Sequence, residues 1–308
     1  MKLMSHDAEI AAQYAEIVYD KITTLIKYAV WDTVNLERFN RWKKQFVDEQ
    51  ESYLAAYLAF QLLYYNKKDF LTLISWAFAE TIRQVVLNQN PNLEFNDNIW
   101  LQKLQEEEHN ILICPFAVDT PAASGNMVTR LLRNQDLISE TRLCSVNQIK
   151  EKLDTNRYKA IVFVDDIIGS GDQAREFVFS MQNIGDERIS ISNLLARYEI
   201  QKFLAVGLAP LDSVECVQRQ TGFTVIAAET LTEKNSTIES SFWFPEDEDE
   251  AKAFLRRLSD EKNVPRLGHK DGAWAVAFEH GMPDVSCPFY YHENENWFSL
   301  FPRRGVAL

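Results

Sequence analysis

The sequence is poor in the residues that staple, punctuate or coat a protein. Its four cysteines, Cys114, Cys144, Cys216 and Cys287, are spread over 308 residues, none in a CxxC or other zinc spacing. That argues against a disulfide scaffold or a metal cluster; reduced, mostly buried thiols of a cytoplasmic protein are expected. Ten glycines and nine prolines are too few for a linker or low-complexity chain. Basic residues are outnumbered, 32 Lys and Arg against 45 Asp and Glu, and the net charge of -13 argues against broad nucleic-acid coating. The opening MKLMSHDAEIAA has no apolar signal core. The longest uncharged apolar run, SYLAAYLAFQLLYYN, falls short of the roughly 20 residues of a membrane span, so it reads as a core helix and no membrane is expected. What is present is core material: 46% of the chain is hydrophobic and 12% aromatic.

The first third has helical rhythm. Ile10, Tyr14, Ile17, Val18, Leu25 and Ile26 fall near 3.6 spacing. Two further sets follow: Leu54, Leu58, Leu62 and Leu63, then Phe70, Ile74, Phe78, Ile82 and Val85. The turn-rich NQNPNLEFNDN interrupts them before a last short helix, IWLQKLQEEEH. This gives an expected helical domain over residues 1–108. Its densest basic cluster is RFNRWKK, with Arg38, Arg41, Lys43 and Lys44. The ordinary reading is a solvated face; the sharper one is contact with nucleic acid or a partner protein. Trp42 and Phe46 read as core.

From Asn110 strands alternate with helices. ILICPF, TRLCSV, AIVFVDDII, FLAVGLA and TVIAAE read as strands; MVTRLLRNQ, NQIKEKLD, DQAREFVFSMQN and LDSVECVQRQ read as the helices between them. RISISNLLARYEI fits either type. The pattern predicts an α/β domain over residues 109–240 with a mostly parallel sheet, and ligands at the carboxyl ends of its strands. A helix opening with PEDEDE and an aromatic extension, residues 241–308, are expected to pack on that domain, with a strand near 273–280.

The stretch VFVDDIIGSGDQA carries the chemistry. Asp165 and Asp166 stand where an apolar strand leaves the sheet, and two adjacent carboxylates there repel unless donors or a cation meet them. A ribose offers vicinal hydroxyls to both, and a magnesium-bound diphosphate offsets the charge. Gly169 and Gly171 permit a tight turn with exposed N–H groups, Ser170 offers a hydroxyl, and the helix starting near Asp172 adds its positive end, so the loop forms an anion cup.

These residues resemble the PRPP-binding motif of type I phosphoribosyltransferases: an apolar strand, two acids, two apolar residues, then a hydroxyl-and-glycine loop. The resemblance covers roughly residues 110–230. It implies that Asp165 and Asp166 grip the ribose hydroxyls. Gly169, Ser170, Gly171, Asp172 and Gln173 would take the 5′-phosphate. The DTPAASG loop, with Asp119, Thr120, Ser124 and Gly125, would hold pyrophosphate or a base, with Mg2+. Most of the chain also resembles phosphoribosyltransferase-like proteins of bacterial conflict systems. The residues are the helical front, the FVDDIIGSGDQA stretch, and Phe278, Glu279, His280, Pro283, Trp297, Leu300, Phe301, Pro302 and Arg303 of the tail. That resemblance implies an effector or partner subunit in an anti-phage operon, some of which carry retrons. A reverse transcriptase, nucleic acid or another defence protein would be its partner. His280 becomes a candidate pocket residue.

Three positions depart from ordinary transferases. Gly169 stands where purine enzymes often place an acid that serves as general acid/base, so no catalytic residue is identified. Asp172 brings a carboxylate into the phosphate cup unless it turns outward as a helix cap, and Gln173 replaces a small hydroxyl residue. Among rival readings, GSGDQA also fits the dinucleotide pattern GxGxxA, but on the third strand and behind two acids rather than on a first strand. Neither Ser170 nor Ser124 lies in GxSxG. The plain alternative is that the two aspartates only cap a helix and hold a loop. The rival function is a non-catalytic nucleotide-sensing or assembly subunit that contacts nucleic acid or a partner protein through the helical domain.

Overall fold

The structure, a computed structural model, describes residues 8–91, 97–116 and 123–302. In chain order its helices and strands are α1 (Ala8–Lys27), α2 (Leu36–Lys43), α3 (Glu49–Phe60), β1 (Leu63–Tyr65), α4 (Lys67–Gln89), α5 (Asp97–Glu108), β2 (Ile111–Pro115), α6 (Ser124–Asn134), α7 (Ile149–Leu153), β3 (Ala160–Ile167), α8 (Asp172–Phe179), β4 (Gln182–Ile184), β5 (Glu187–Ile189), α9 (Ile191–Leu195), β6 (Gln201–Pro210), α10 (Leu211–Thr221), β7 (Thr224–Leu231), α11 (Glu248–Lys262) and β8 (Val276–Phe278). The chain divides into two compact units, residues 1–70 with 231–308, and residues 71–230. The expected limits at 108 and 240 differ from this division. The reason lies in the core: the front helices and the C-terminal extension bury their aromatic side chains together.

In the first unit α1 buries Ala11, Ala15, Val18 and Ile22, at steps of three and four, along one stripe. Asn35 caps α2 by accepting from the Arg38 N–H at 2.7 Å, and Asp48 caps α3 by accepting from Glu51 N–H at 2.7 Å. α3 is buried nearly all round, from Tyr53 to Ala59. The run that reads as one core helix in sequence thus ends at Phe60, and its remainder forms β1, which pairs in parallel with β8 (Leu63 opposite Val276, Tyr65 opposite Phe278). Phe46 joins the front to the tail: its ring lies 4.9 Å from Trp42 and 5.9 Å from Trp297.

The basic cluster on α2 is spent on the same junction. Arg38 donates to the Ser299 carbonyl at 2.9 Å and to Glu293 at 3.3 Å, and the Arg38 and Arg41 guanidinium groups lie 4.5 and 3.9 Å from the Phe298 ring centre. Gln45 brackets the Phe298 backbone, donating to its carbonyl at 2.8 Å and accepting from its N–H at 2.7 Å.

In the second unit the sheet order is β2-β3-β6-β7, with β2, β3 and β6 parallel. The strand expected at TRLCSV shrinks to a single parallel bridge between Leu143 and Ile113. Arg142 explains this. Its buried guanidinium donates to the Glu108 carbonyl and carboxylate and to the Leu137 carbonyl, at 2.6, 2.7 and 3.1 Å, which curls the chain into a short 3-10 turn instead. RISISNLLARYEI resolves into both options, strand β5 and then helix α9. Because the bridge lies on the far edge of β2, the chain winds outward from β2 in one direction and from β3 in the other. The switch point of the sheet therefore lies between β2 and β3, where open α/β sheets leave a crevice at their carboxyl ends.

Among the described residues α4 is long and apolar enough to cross a bilayer by length and composition. Its buried Phe70, Ile74, Ala77, Phe78, Thr81 and Val85 line one face, the pattern of a core helix.

Candidate functional site

The site is built on the end of β3. Ile161 to Val164 are fully buried and β-branched or aromatic, as a central strand requires. Asp165 follows opposite Val206 of β6 and remains 5% exposed, whereas Asp166 is half-buried. Both carboxylates fold back on the strand: Asp165 Oδ1 accepts from Asp166 N–H at 3.0 Å and Asp166 Oδ1 accepts from Ile167 N–H at 2.8 Å. The Ser124 hydroxyl also donates to Asp165 Oδ1. Burial raises the Asp165 pKa well above the ordinary carboxylate value, and the neighbouring Asp166 charge adds to it; the Ser124 hydroxyl and the Asp166 N–H oppose the rise.

Ser124 comes to Asp165 because α6 starts against the sheet. A Cβ on Gly125 would lie 2.5 Å from the Phe116 carbonyl oxygen, 2.6 Å from its nitrogen and 2.8 Å from the Val164 carbonyl oxygen. Only glycine lets the helix sit that close to the ladder between the ends of β2 and β3, where Phe116 N–H donates to Val164 at 2.9 Å. Gly125, expected in a loop for pyrophosphate, is thus a packing glycine inside a helix. Asp119 and Thr120 lie outside the described residues, as does Arg303.

Beyond the diacid the chain turns at Gly171, which has φ 84° and precedes α8. Ser170 accepts from the Asp172 N–H at 3.3 Å, and Asp172 faces Arg175 at 3.3 Å on the outer turn of the helix. The carboxylate that threatened the phosphate cup is therefore partnered by a cation one turn along. Gln173 and Ala174 belong to the first turn of α8, whose N–H groups have no helical acceptor. Asp165, Asp166, Ser124, Gly125 and the 169–173 turn all sit at the carboxyl end of the β2–β3 switch point. The plain capping alternative leaves unexplained why a second carboxylate adjoins the buried one.

A family model described as PRTase-CE matches residues 39–303. The chain belongs to the PRTase-CE family. Membership makes it a phosphoribosyltransferase-like protein of mixed α/β fold, and the match runs through both compact units. No curated protein and no solved structure matches the chain.

In this PRTase-CE chain the tail residues Phe278, Glu279 and His280 belong to the first unit. Glu279 accepts from Lys67 N–H at 2.5 Å and Asn66 accepts from Asp69 N–H at 2.9 Å, so the two together cap α4. The His280 ring stacks 4.8 Å from Phe278 and meets Phe70 edge-on at 4.8 Å. Sequence reasoning missed the Ser124–Asp165 bond, the Glu279 cap and a buried pair, Tyr53 donating to Asp247 at 2.6 Å. Small residues after β2 were the one available sign of the first. The other two join residues far apart in the chain and left no local sign. Among the described residues no cluster of three or more His, Cys, Asp or Glu is arranged to hold a metal ion.

Proposed function

We propose that the protein binds a ribosyl phosphate, PRPP or a nucleotide, at the β2–β3 switch point. Asp165 and Asp166 take the ribose 2′ and 3′ hydroxyls, and the 169–173 turn with the α8 N-terminus takes the phosphate. The observation that carries this reading is the diacid at a strand tip in the crevice position, followed directly by the left-handed Gly171 and a helix start. Magnesium fits as an ion carried by the ligand's diphosphate, whose oxygens and bound waters form the all-oxygen set it favours, while the diacid keeps to the sugar. Where turnover occurs, the bond from ribose C1′ to its pyrophosphate or base breaks, the leaving group takes the electron pair, and water or an acceptor nucleophile bonds to C1′ through an oxocarbenium-like state while the diacid holds the sugar.

The wider role we propose is that of an effector or partner subunit of a bacterial anti-phage system, acting in the cytoplasm, with a reverse transcriptase, nucleic acid or another defence protein as partner. The resemblance of the diacid stretch and of the tail supports it. A second reading, a non-catalytic nucleotide sensor, is favoured by one observation: Gly169 stands where an acid/base residue belongs. Contact with nucleic acid through α2 draws little support, since Arg38 and Arg41 are engaged by the tail.

The test is to incubate the protein with PRPP, NAD and nucleotides, with magnesium, and to follow binding by calorimetry and products by mass spectrometry. Binding with a new ribosyl product supports the enzyme; binding without product supports the sensor. No binding of any of them overturns the ribosyl site.

A further inference from the structure

The diacid does not act alone. Asp165 is nearly fully buried, and its Oδ1 has two donors, the backbone N–H of Asp166 and the hydroxyl of Ser124. The first donor comes from its own strand. The second arrives from a different element, and its place is fixed. Gly125 seats the α6 start directly on the backbone of Phe116 and Val164, so the Ser124 backbone cannot withdraw without lifting the helix off the ladder. α6 also directs its N-terminal end toward this carboxylate, and its preceding residue, Ala123, supplies no side-chain cap. β6 places Val206 opposite Asp165, and the charged group set against it among the described residues is Asp166. Among the described residues the groups that oppose burial and that like charge are these two donors.

We infer that Ser124 is the positioning residue of the ribosyl site: its hydroxyl, brought in by the start of α6, holds the Asp165 carboxyl in one arrangement to meet a sugar hydroxyl. This rests on the ribosyl reading above and assigns Ser124 a task other than holding pyrophosphate. A carboxylate has about four acceptor sites. With Oδ1 held by protein donors, the orientation of the carboxyl is set before the ligand arrives. Losing a hydrogen bond to a charged group weakens what depends on it about tenfold or more.

The test reads Asp165 first without ligand. The 13C shift of its carboxyl is followed against pH in the wild-type chain, in Ser124→Ala and in Ser124→Thr, with thermal unfolding as the check on folding. The Asp165 midpoint is expected to move up in Ser124→Ala and to return toward wild type in Ser124→Thr, which restores a hydroxyl. Calorimetry with magnesium PRPP is then expected to show about tenfold weaker binding to Ser124→Ala at pH 7, with Ser124→Thr recovering part of the loss. An unmoved Asp165 midpoint in Ser124→Ala overturns the inference. Tighter PRPP binding by Ser124→Ala also overturns it, because the hydroxyl would then be a competitor for the sugar. Should Ser124→Ala fail to fold, Ser124→Thr against Ser124→Cys gives the same comparison of a strong donor with a weak one. Absence of PRPP binding in the wild type would sink the ribosyl reading and leave the Asp165 titration to decide the role of Ser124 separately.

Discussion

Each compact unit buries a carboxylate, and the two are treated differently. Asp247, 1% exposed, precedes α11 and accepts from the Tyr53 hydroxyl of α3 at 2.6 Å; its Oδ1 accepts no hydrogen bond from the described residues. It works as a pin between two helices, and burial raises its pKa. Asp165 in the second unit has both a hydroxyl and a backbone donor, yet carries a second carboxylate beside it. Asp247 also has acids near it, Glu246 and Glu250, which add to the rise, but Glu246 is exposed to water whereas Asp166 is half-buried at the strand tip. The comparison teaches that a buried acid serves as a structural pin in the aromatic core, whereas the strand tip sets a half-buried acid directly against a buried one.

The largest expected effect lies in the aromatic core. Trp297→Ala should destabilise the first unit by about 4 kcal/mol, read by chemical denaturation, because it empties a fully buried site against Phe46 and Phe289. A loss below about 1 kcal/mol would break the claim that front and tail share one core. Next is Gly125→Ala, which sets a methyl group against three backbone atoms and should cost about 3 kcal/mol while dislodging Ser124 from Asp165.

Tyr53→Phe sharpens the contrast between the two acids. It strips Asp247 of its donor and should cost about 2 kcal/mol at neutral pH. The sign with pH follows from the direction of the shift. A carboxyl whose folded pKa is raised adds stability that is complete below its unfolded value of about 4 and is lost as pH rises through the folded value. Asp247→Asn should remove that part of the pH dependence in thermal melts taken across the range. The smallest effect is that of Glu279→Ala, about 1 kcal/mol from the lost cap on α4, with little change at the diacid.

How much of this was legible in the sequence follows the range of the interactions. The β-branched run before Asp165 and the glycine turn after Asp166 announce strand, site and helix, because every cause is local. Trp42 and Phe46 were readable as core from their chemistry alone. The lost strand at Leu143 was not, since it depends on where the buried Arg142 finds its carbonyl partners. Nor was the division of the chain: β1 reaches β8, and Arg38 reaches Ser299, across most of its length. His280 drew a pocket role from its position in the aromatic tail and from the family resemblance, beside Glu279. The acid turns out to cap a helix, and the imidazole ring stacks on phenylalanine.

The central claim is that Asp165 and Asp166 form a sugar grip. Calorimetric titration of the full chain with magnesium PRPP, wild type against the double variant Asp165→Asn and Asp166→Asn, tests it most directly. The account predicts binding to the wild type and a loss of at least a hundredfold in a double variant that melts as the wild type does. Equal affinity of the two folded proteins would contradict it.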